Sequence, residues 1–182
     1  SKLPFHIPFA LGLVGPDGED MALRLEGEEQ GAEPCSTGSA KEITRVLSLK
    51  TAAETFIFVD VPAPPVPSLL RNFSAPVRVK YDYSEADLTH LMAHDANAFN
   101  RWEAGQRLAL QLILRGIEAR RGQSADARGA GAGSVPPQAF VSAFARVLAD
   151  APRDPAFGAE ALALPSEIYI AEQLDEVDPD AI

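Results

Sequence analysis

Within a few residues of Tyr83 and Ser84 the side-chain period of this 182-residue chain changes from two to about three and a half, which limits what it can fold into. Upstream, Val77, Val79, Tyr81 and Tyr83 alternate with Arg78, Lys80 and Asp82, the pattern of a strand with one buried face. Ser84 follows, with Asp87 three residues on, a helix cap of the Ser-x-x-acid kind; Leu88, Leu91 and Met92 then share one helical stripe. A β half over residues 1–83 and an α half over 84–182 are expected, and the junction should be stiff because no glycine separates them.

Phe5, Ile7, Phe9, Leu11 and Leu13 alternate with His6, Pro8, Ala10 and Gly12, a half-buried strand in which Pro8 argues for an edge or a bulge. Pro16-Asp17-Gly18 is a turn, and Met21, Leu23 and Leu25 read as the second arm of a hairpin. Gly27 to Ala40 is a solvated loop by composition. Ile43–Lys50 and Thr55–Asp60 read as a second hairpin, the latter arm apolar on both faces. Prolines at 62, 64, 65 and 67 force an extended crossing before Ser68–Asn72. With Val77–Tyr83 there are about six short strands, close to an immunoglobulin-like β-sandwich, with room for one more upstream.

In the α half, Asn100-x-x-Glu103 is a candidate cap for a helix running to about Arg120. Its polar residues Arg107, Gln111, Arg115 and Glu118 occupy a narrow strip, and Phe99, Trp102, Leu108, Leu110, Leu112, Ile113, Leu114 and Ile117 fill most of the remaining arc. A helix apolar over so wide an arc needs neighbours around it, as in a layered helical array. Trp102 is expected in that core, where truncation to alanine costs about 3–5 kcal/mol. Gly122–Val135 reads as a flexible loop. Pro136-Pro137 opens a helix with a Phe140, Val141, Phe144, Val147, Leu148 core stripe, and shorter helices over Asp154–Leu164 and Ser166–Leu174 are split by Pro165. The fold class is therefore an immunoglobulin-like β-sandwich followed by an α-helical bundle.

A formal net charge of −10 and a pI of about 4.7 argue against a nucleic-acid partner. No apolar run approaches the roughly 20 residues of a membrane helix, so no membrane partner is expected. The single cysteine, Cys35, excludes an internal disulfide and favours a reducing, cytoplasmic setting. The abrupt starts and stops at Ser1 and Asp178-Pro179-Asp180-Ala181-Ile182 suggest a piece cut from a longer protein. An exposed sandwich edge left by such a cut is a route to self-association.

Candidate chemistry is thin. His90 and His94 lie at the i, i+4 spacing of a helical metal pair, with Asp95 as a third oxygen, but Leu91 stands where a metalloprotease needs its glutamate. An ordinary surface or interhelix pair is the better reading. Gly129, Gly131, Gly133 and Ser134 lack the preceding strand and following Lys-Ser/Thr of a phosphate loop. Cys35 has no basic neighbour in sequence to activate it. The clusters Glu26/Glu28/Glu29/Glu33 and Asp175/Glu176/Asp178/Asp180 lack EF-hand spacing and read as solvated acid runs. Arg101 and Trp102 read as framework rather than as a stacking site. No catalytic, cofactor-binding or metal residue is assigned.

Several literal strings resemble one family. Lys2-Leu3-Pro4-Phe5-His6-Ile7-Pro8, Leu11-Gly12-Leu13, and Pro65-Val66-Pro67-Ser68-Leu69-Leu70-Arg71 with Phe73-Ser74-Ala75-Pro76-Val77 resemble the third domain of bacterial aminopeptidase N. Leu91-Met92-Ala93-His94-Asp95, Phe99-Asn100-Arg101-Trp102-Glu103-Ala104-Gly105-Gln106 and Leu164-Pro165-Ser166-Glu167 resemble the start of its fourth. The resemblance implies a parent zinc aminopeptidase that removes N-terminal residues from peptides. It also implies a sandwich linking the catalytic domain to a helical superhelix that encloses the active site. The family's Gly-x-Met-Glu-Asn segment for the substrate amine and its His-Glu-x-x-His zinc motif do not occur here, so no catalytic residue carries over. Zinc is thus expected in the parent and not in this chain, whose partners would be the parent's catalytic and remaining helical domains. The rival reading is a free-standing protein-interaction module; a weaker one is a metal sensor built on His90 and His94.

Overall fold

The computed structural model describes residues 5–28, 43–121 and 135–177. They divide into two compact units: 1–83 with 94–101, and 84–93 with 102–182. The sequence places one boundary at Tyr83/Ser84; the contact pattern adds that the His94–Arg101 corner clusters with the β-rich unit.

The β-rich unit is built on an antiparallel sheet of β1 (Ile7–Val14), β2 (Arg45–Leu49) and β3 (Val66–Leu69) in the order β2-β1-β3. β2 lies beside Ile7 to Leu11 and β3 beside Leu11 to Val14. β1 is therefore central, not the edge that Pro8 suggested. Backbone N–H groups of a strand point alternately to its two sides. The position of Pro8 faces the same side as Ala10, away from β2 and short of β3, so its missing donor costs no ladder bond. The Ala10 N–H on that side donates to Ser74 Oγ at 2.8 Å. Pro67 faces Leu13, and by the same alternation its missing N–H also points away from the ladder.

Leu11, Leu13, Leu23 and Leu47 are buried together, with Phe9, Met21, Leu25, Phe56, Phe58, Val61 and Leu69 packed on them. β1 is not half-buried: Ala10, Gly12 and Val14 on its second face are buried as well. Alternation along the strand misleads because that face lies under a charged side chain described below.

The second hairpin differs from expectation. Residues 55–60 do not pair with β2; Val59 N donates to Arg24 O and Glu26 N to Ile57 O, both at 2.9 Å, around an isolated Leu25–Phe58 bridge. Val77–Tyr83 forms no ladder among the described residues. Its alternating burial survives as far as Lys80, but Val77 and Tyr83 donate locally, to Ala75 O and Tyr81 O. Tyr83 is tied down instead by its hydroxyl, which donates to Pro67 O at 2.7 Å.

The helical unit starts where the cap was expected. Ser84 N donates to Asp87 Oδ2 at 2.9 Å and Asp87 N to Ser84 Oγ at 3.1 Å, a reciprocal box opening α1 (Glu85–His94). Its stripe Leu88, Leu91 and Met92 is buried. α2 (Ala98–Arg121) buries Ala104, Leu108, Ala109 and Ile117. Trp102 is half-buried rather than core, which lowers the expected cost of removing it. α3 (Gln138–Asp150) turns Ala143 and Val147 inward, with Phe140 and Phe144 in contact at 6.0 Å between centroids. Val141 and Leu148, expected on that stripe, are exposed. Asp154 caps α4 (Pro155–Leu162) by accepting from Phe157 N at 3.0 Å, and Ser166 caps α5 (Glu167–Ala171) by accepting from Tyr169 N at 3.2 Å. Arg146 Nε donates to Ala93 O, an orphan carbonyl in the last turn of α1, at 3.0 Å. Among the described residues no helix is long and apolar enough to cross a membrane.

Candidate functional site: a buried arginine hub

Arg71 is the largest fully buried side chain of the β-rich unit, and its five N–H donors explain how a guanidinium can be there. The hub is set by local backbone. After β3 the chain makes a tight turn over Arg71–Phe73 in which Leu70, Asn72 and Phe73 all take left-handed φ, at 55°, 56° and 50°. Such a conformation costs about 1–3 kcal/mol for a residue other than glycine, least for asparagine, and persists only when its surroundings fix it. They do: Ser74 Oγ is bound to Ala10 N, Asn97 Nδ2 donates to Asn72 Oδ1 at 2.8 Å, and the Phe73 ring rests on Phe99 with centroids 3.9 Å apart.

This turn sends the Arg71 side chain back across β1. Nη1 and Nη2 donate to Asp20 Oδ2 and Oδ1 at 2.8 and 2.7 Å, a bidentate pair. Nη1 also reaches Thr44 Oγ1 at 3.0 Å and Ile43 O at 3.1 Å. Nε donates to Ser68 Oγ at 2.8 Å, and Nη2 lies 3.3 Å from Asp95 Oδ1. Asp20 is delivered by the turn after β1, where Gly15 N donates to Glu19 O and Gly18 has φ 84°. Asp95 comes from the corner between α1 and α2, and Asn100 from the first turn of α2. Asn100 Nδ2 donates to Ser68 Oγ and to Leu69 O, both at 2.9 Å. Ser68 thus accepts from two donors and has one proton left to give.

Asp95 is the anomaly in this cluster. Its side chain is buried, Oδ1 accepts from Asn97 N at 2.9 Å, and Oδ2 has no hydrogen-bond partner among the described residues. Burial pushes its carboxyl up, while Ser68, the Asn97 N–H and Arg71 pull it down and Asp20 adds to the rise.

Among the described residues no three of His, Cys, Asp or Glu come together as a metal-holding group. His94 does not face a metal set with Asp95; its ring sits against Gly18, where an added Cβ would overlap it. Asp95 is a hub residue, not a third ligand. Asn100 is not a cap: Asn97 Oδ1 takes the Asn100 N–H at 3.1 Å, and the Asn100 side chain turns to the hub. Glu28 accepts from Leu25 N at 3.0 Å and pairs with Arg45, and the Leu25 N–H is the main cause of its lowered carboxyl pKa. Cys35, Glu29, Glu33, Gly129, Gly131, Gly133, Ser134, Asp178 and Asp180 lie outside the described residues.

Sequence reasoning missed Arg71, Asp20, Ser68 and Asn100. A signal was available: Ser68, Arg71 and Asn100 sit inside the literal strings that carry the family resemblance.

Comparison with known proteins agrees with this architecture. Residues 1–82 match the family model described as "Domain of unknown function (DUF3458) Ig-like fold", and residues 85–182 match "Domain of unknown function (DUF3458_C) ARM repeats". The chain is 38% identical over 182 residues to aminopeptidase N of Escherichia coli, covering 100% of this chain and 18% of that protein. It is 40% identical over 140 residues to aminopeptidase N of Caulobacter vibrioides, covering 76% of this chain and 15% of that one. A crystal structure of Legionella pneumophila aminopeptidase A in complex with aspartic acid superposes with a TM-score of 0.62 at 27% identity, over 97% of this chain and 17% of that one. The chain spans less than a fifth of the length of these relatives. It belongs to the DUF3458_C family of ARM repeats, here preceded by a segment that matches the DUF3458 Ig-like model, and both lie in the region that aligns with aminopeptidase N.

Proposed function

We propose that the chain is a non-catalytic framework segment of a cytoplasmic aminopeptidase N-like zinc hydrolase that releases N-terminal amino acids from peptides. Its two domains are residues 1–83 and 84–182, and it links the parent's catalytic domain to the helical domain enclosing the active site. Zinc, when bound in the parent, would activate the attacking water; no residue of this chain is assigned to hold it. The reading is supported by the fate of the most chemically capable side chains. Arg71, Asp20, Ser68 and Asn100 are buried and spend their hydrogen-bonding capacity on one another and on backbone, as groups that position elements do.

The test is turnover of aminoacyl chromogenic substrates by this polypeptide with zinc supplied, beside a longer polypeptide from the same gene. No turnover by the chain alone, with activity in the longer form, is the expected result. Zinc-dependent hydrolysis by the chain alone overturns the non-catalytic reading. A gene lacking an upstream His-Glu-x-x-His segment would favour the free-standing interaction module instead.

A further inference from the structure

The Arg71 hub holds two carboxylates against one guanidinium. Asp20 already neutralises Arg71 through two short parallel hydrogen bonds at 2.7 and 2.8 Å. Asp95 reaches the same guanidinium by one oxygen at 3.3 Å, on the Nη2 that Asp20 also uses. With both acids ionised the buried cluster carries a net charge of −1, and one oxygen of the surplus carboxylate, Oδ2, has no hydrogen-bond partner among the described residues. An unpaired buried charge costs far more than an unpaired buried hydroxyl. A proton on Oδ2 brings the cluster to zero charge and leaves both bonds to Oδ1 intact.

We propose that Asp95 is held as the neutral carboxylic acid, protonated on Oδ2, and that this proton is what allows the His94–Arg101 corner to sit in the β-rich unit. The charged and titratable groups around it are Arg71 from the turn after β3, Asp20 from the turn after β1, and its neighbour His94, whose ring lies against Gly18. Thr44, Ser68, Asn97 and Asn100 complete the surroundings without charge. The direction in which burial moves the Asp95 carboxyl agrees with this assignment. The device is a proton-linked latch: raising the pH strips the proton, leaves a surplus buried charge, and loosens the corner with its Asn97 and Asn100 contacts.

The sign of the linkage makes it testable. A folded-state pKa above the unfolded one means that the folded chain keeps a proton the unfolded chain has lost, so stability falls as pH rises through that window. Urea unfolding of the full chain in weak buffer at about pH 6, where an ordinary aspartate is ionised, should release close to one more proton from the native sequence than from Asp95→Asn. The native sequence should also show a buried carboxylic-acid carbonyl band in the infrared that is lost at alkaline pH and absent from Asp95→Asn. Because asparagine is a neutral isostere, Asp95→Asn should match or exceed the native chain in urea midpoint at alkaline pH. Proton release equal to that of Asp95→Asn, or absence of the acid band from the native chain, would each overturn the proposal. The band and the native proton release are read on the unaltered chain, so they stand whatever the variant does.

Discussion

The guanidinium of Arg71 lies where the Cβ of residue 12 would be if that residue were not glycine. Gly12 has no positive φ to require its identity and stands in the middle of β1. Its requirement is space: a central strand with a bare position lets a charged side chain cross over it and reach the turn after the strand.

Gly12→Ala is therefore expected to act as a hub mutation rather than as a change of strand propensity. The added methyl meets the guanidinium itself, so the ion pair with Asp20 must shift. Loss of about 3–5 kcal/mol is expected, the cost of breaking a buried pair, read from urea unfolding. A loss below about 1 kcal/mol, the propensity range, would show that the hub moves aside freely.

Arg71→Lys should not rescue the hub. Lysine has three donors and no planar fork, and Arg71 serves Asp20 bidentately while also reaching Ser68, Thr44 and Ile43 O. A destabilisation of about 3 kcal/mol or more is expected. If Arg71→Lys unfolds at the native urea concentration, bidentate geometry is not what the hub requires.

Two helical glycines should respond in opposite directions. A Cβ at Gly105 on α2 would lie 3.5 Å from Met92 Cγ, an ordinary contact, so Gly105→Ala should stabilise by about 0.5–1 kcal/mol through helix propensity. A Cβ at Gly158 on α4 would lie 2.5 Å from Ala151 Cβ and 3.0 Å from its Cα, so Gly158→Ala should cost about 1–3 kcal/mol by overpacking. Thermal midpoints of the two variants check both signs.

Two carboxyls outside the hub are expected to contribute acid sensitivity. The Glu54 carboxyl is lowered chiefly by the Lys50 N–H at 2.7 Å, helped by Thr51, and Glu28 chiefly by the Leu25 N–H. For a lowered carboxyl the stability is present above its unfolded pKa and lost as pH falls through the folded one. Glu54→Gln should lower stability in the neutral region, flatten part of the acid limb of a pH–stability curve, and leave its acid end little changed. Asp95 runs the other way, so the two substitutions should bend the curve in opposite directions. A Glu54→Gln curve parallel to the native one would remove this assignment.

What could be read from the sequence follows from the range of each interaction. The box between Ser84 and Asp87 spans three residues and stands where the sequence puts it, and Asp154 and Ser166, read as the starts of two short helices, cap them over the same span. The stripe Leu88, Leu91, Met92 needs only helical geometry to share a face, and it is buried. The division into a β half and an α half is legible for the same reason, since side-chain period is a local property of the backbone. Pairing is not local. Residues 55–60 carry the composition of a strand but choose 24–26 over β2, and Val77–Tyr83 has a strand's alternation with no ladder beside it among the described residues.

The sequence by itself determined that a β-rich half precedes a helical half, that Ser84 and Asp87 open the first helix, and which long strings align it with aminopeptidase N. Tertiary structure alone decided that Arg71 is buried, that Gly12 must be bare, and that Asp95 and Asn100 belong to the β-rich unit. Arg71 meets Asp20 across 51 positions, Thr44 across 27 and Asp95 across 24. Such a charge is tolerable inside a protein only once every one of those distant partners has arrived, and no local pattern records that arrival.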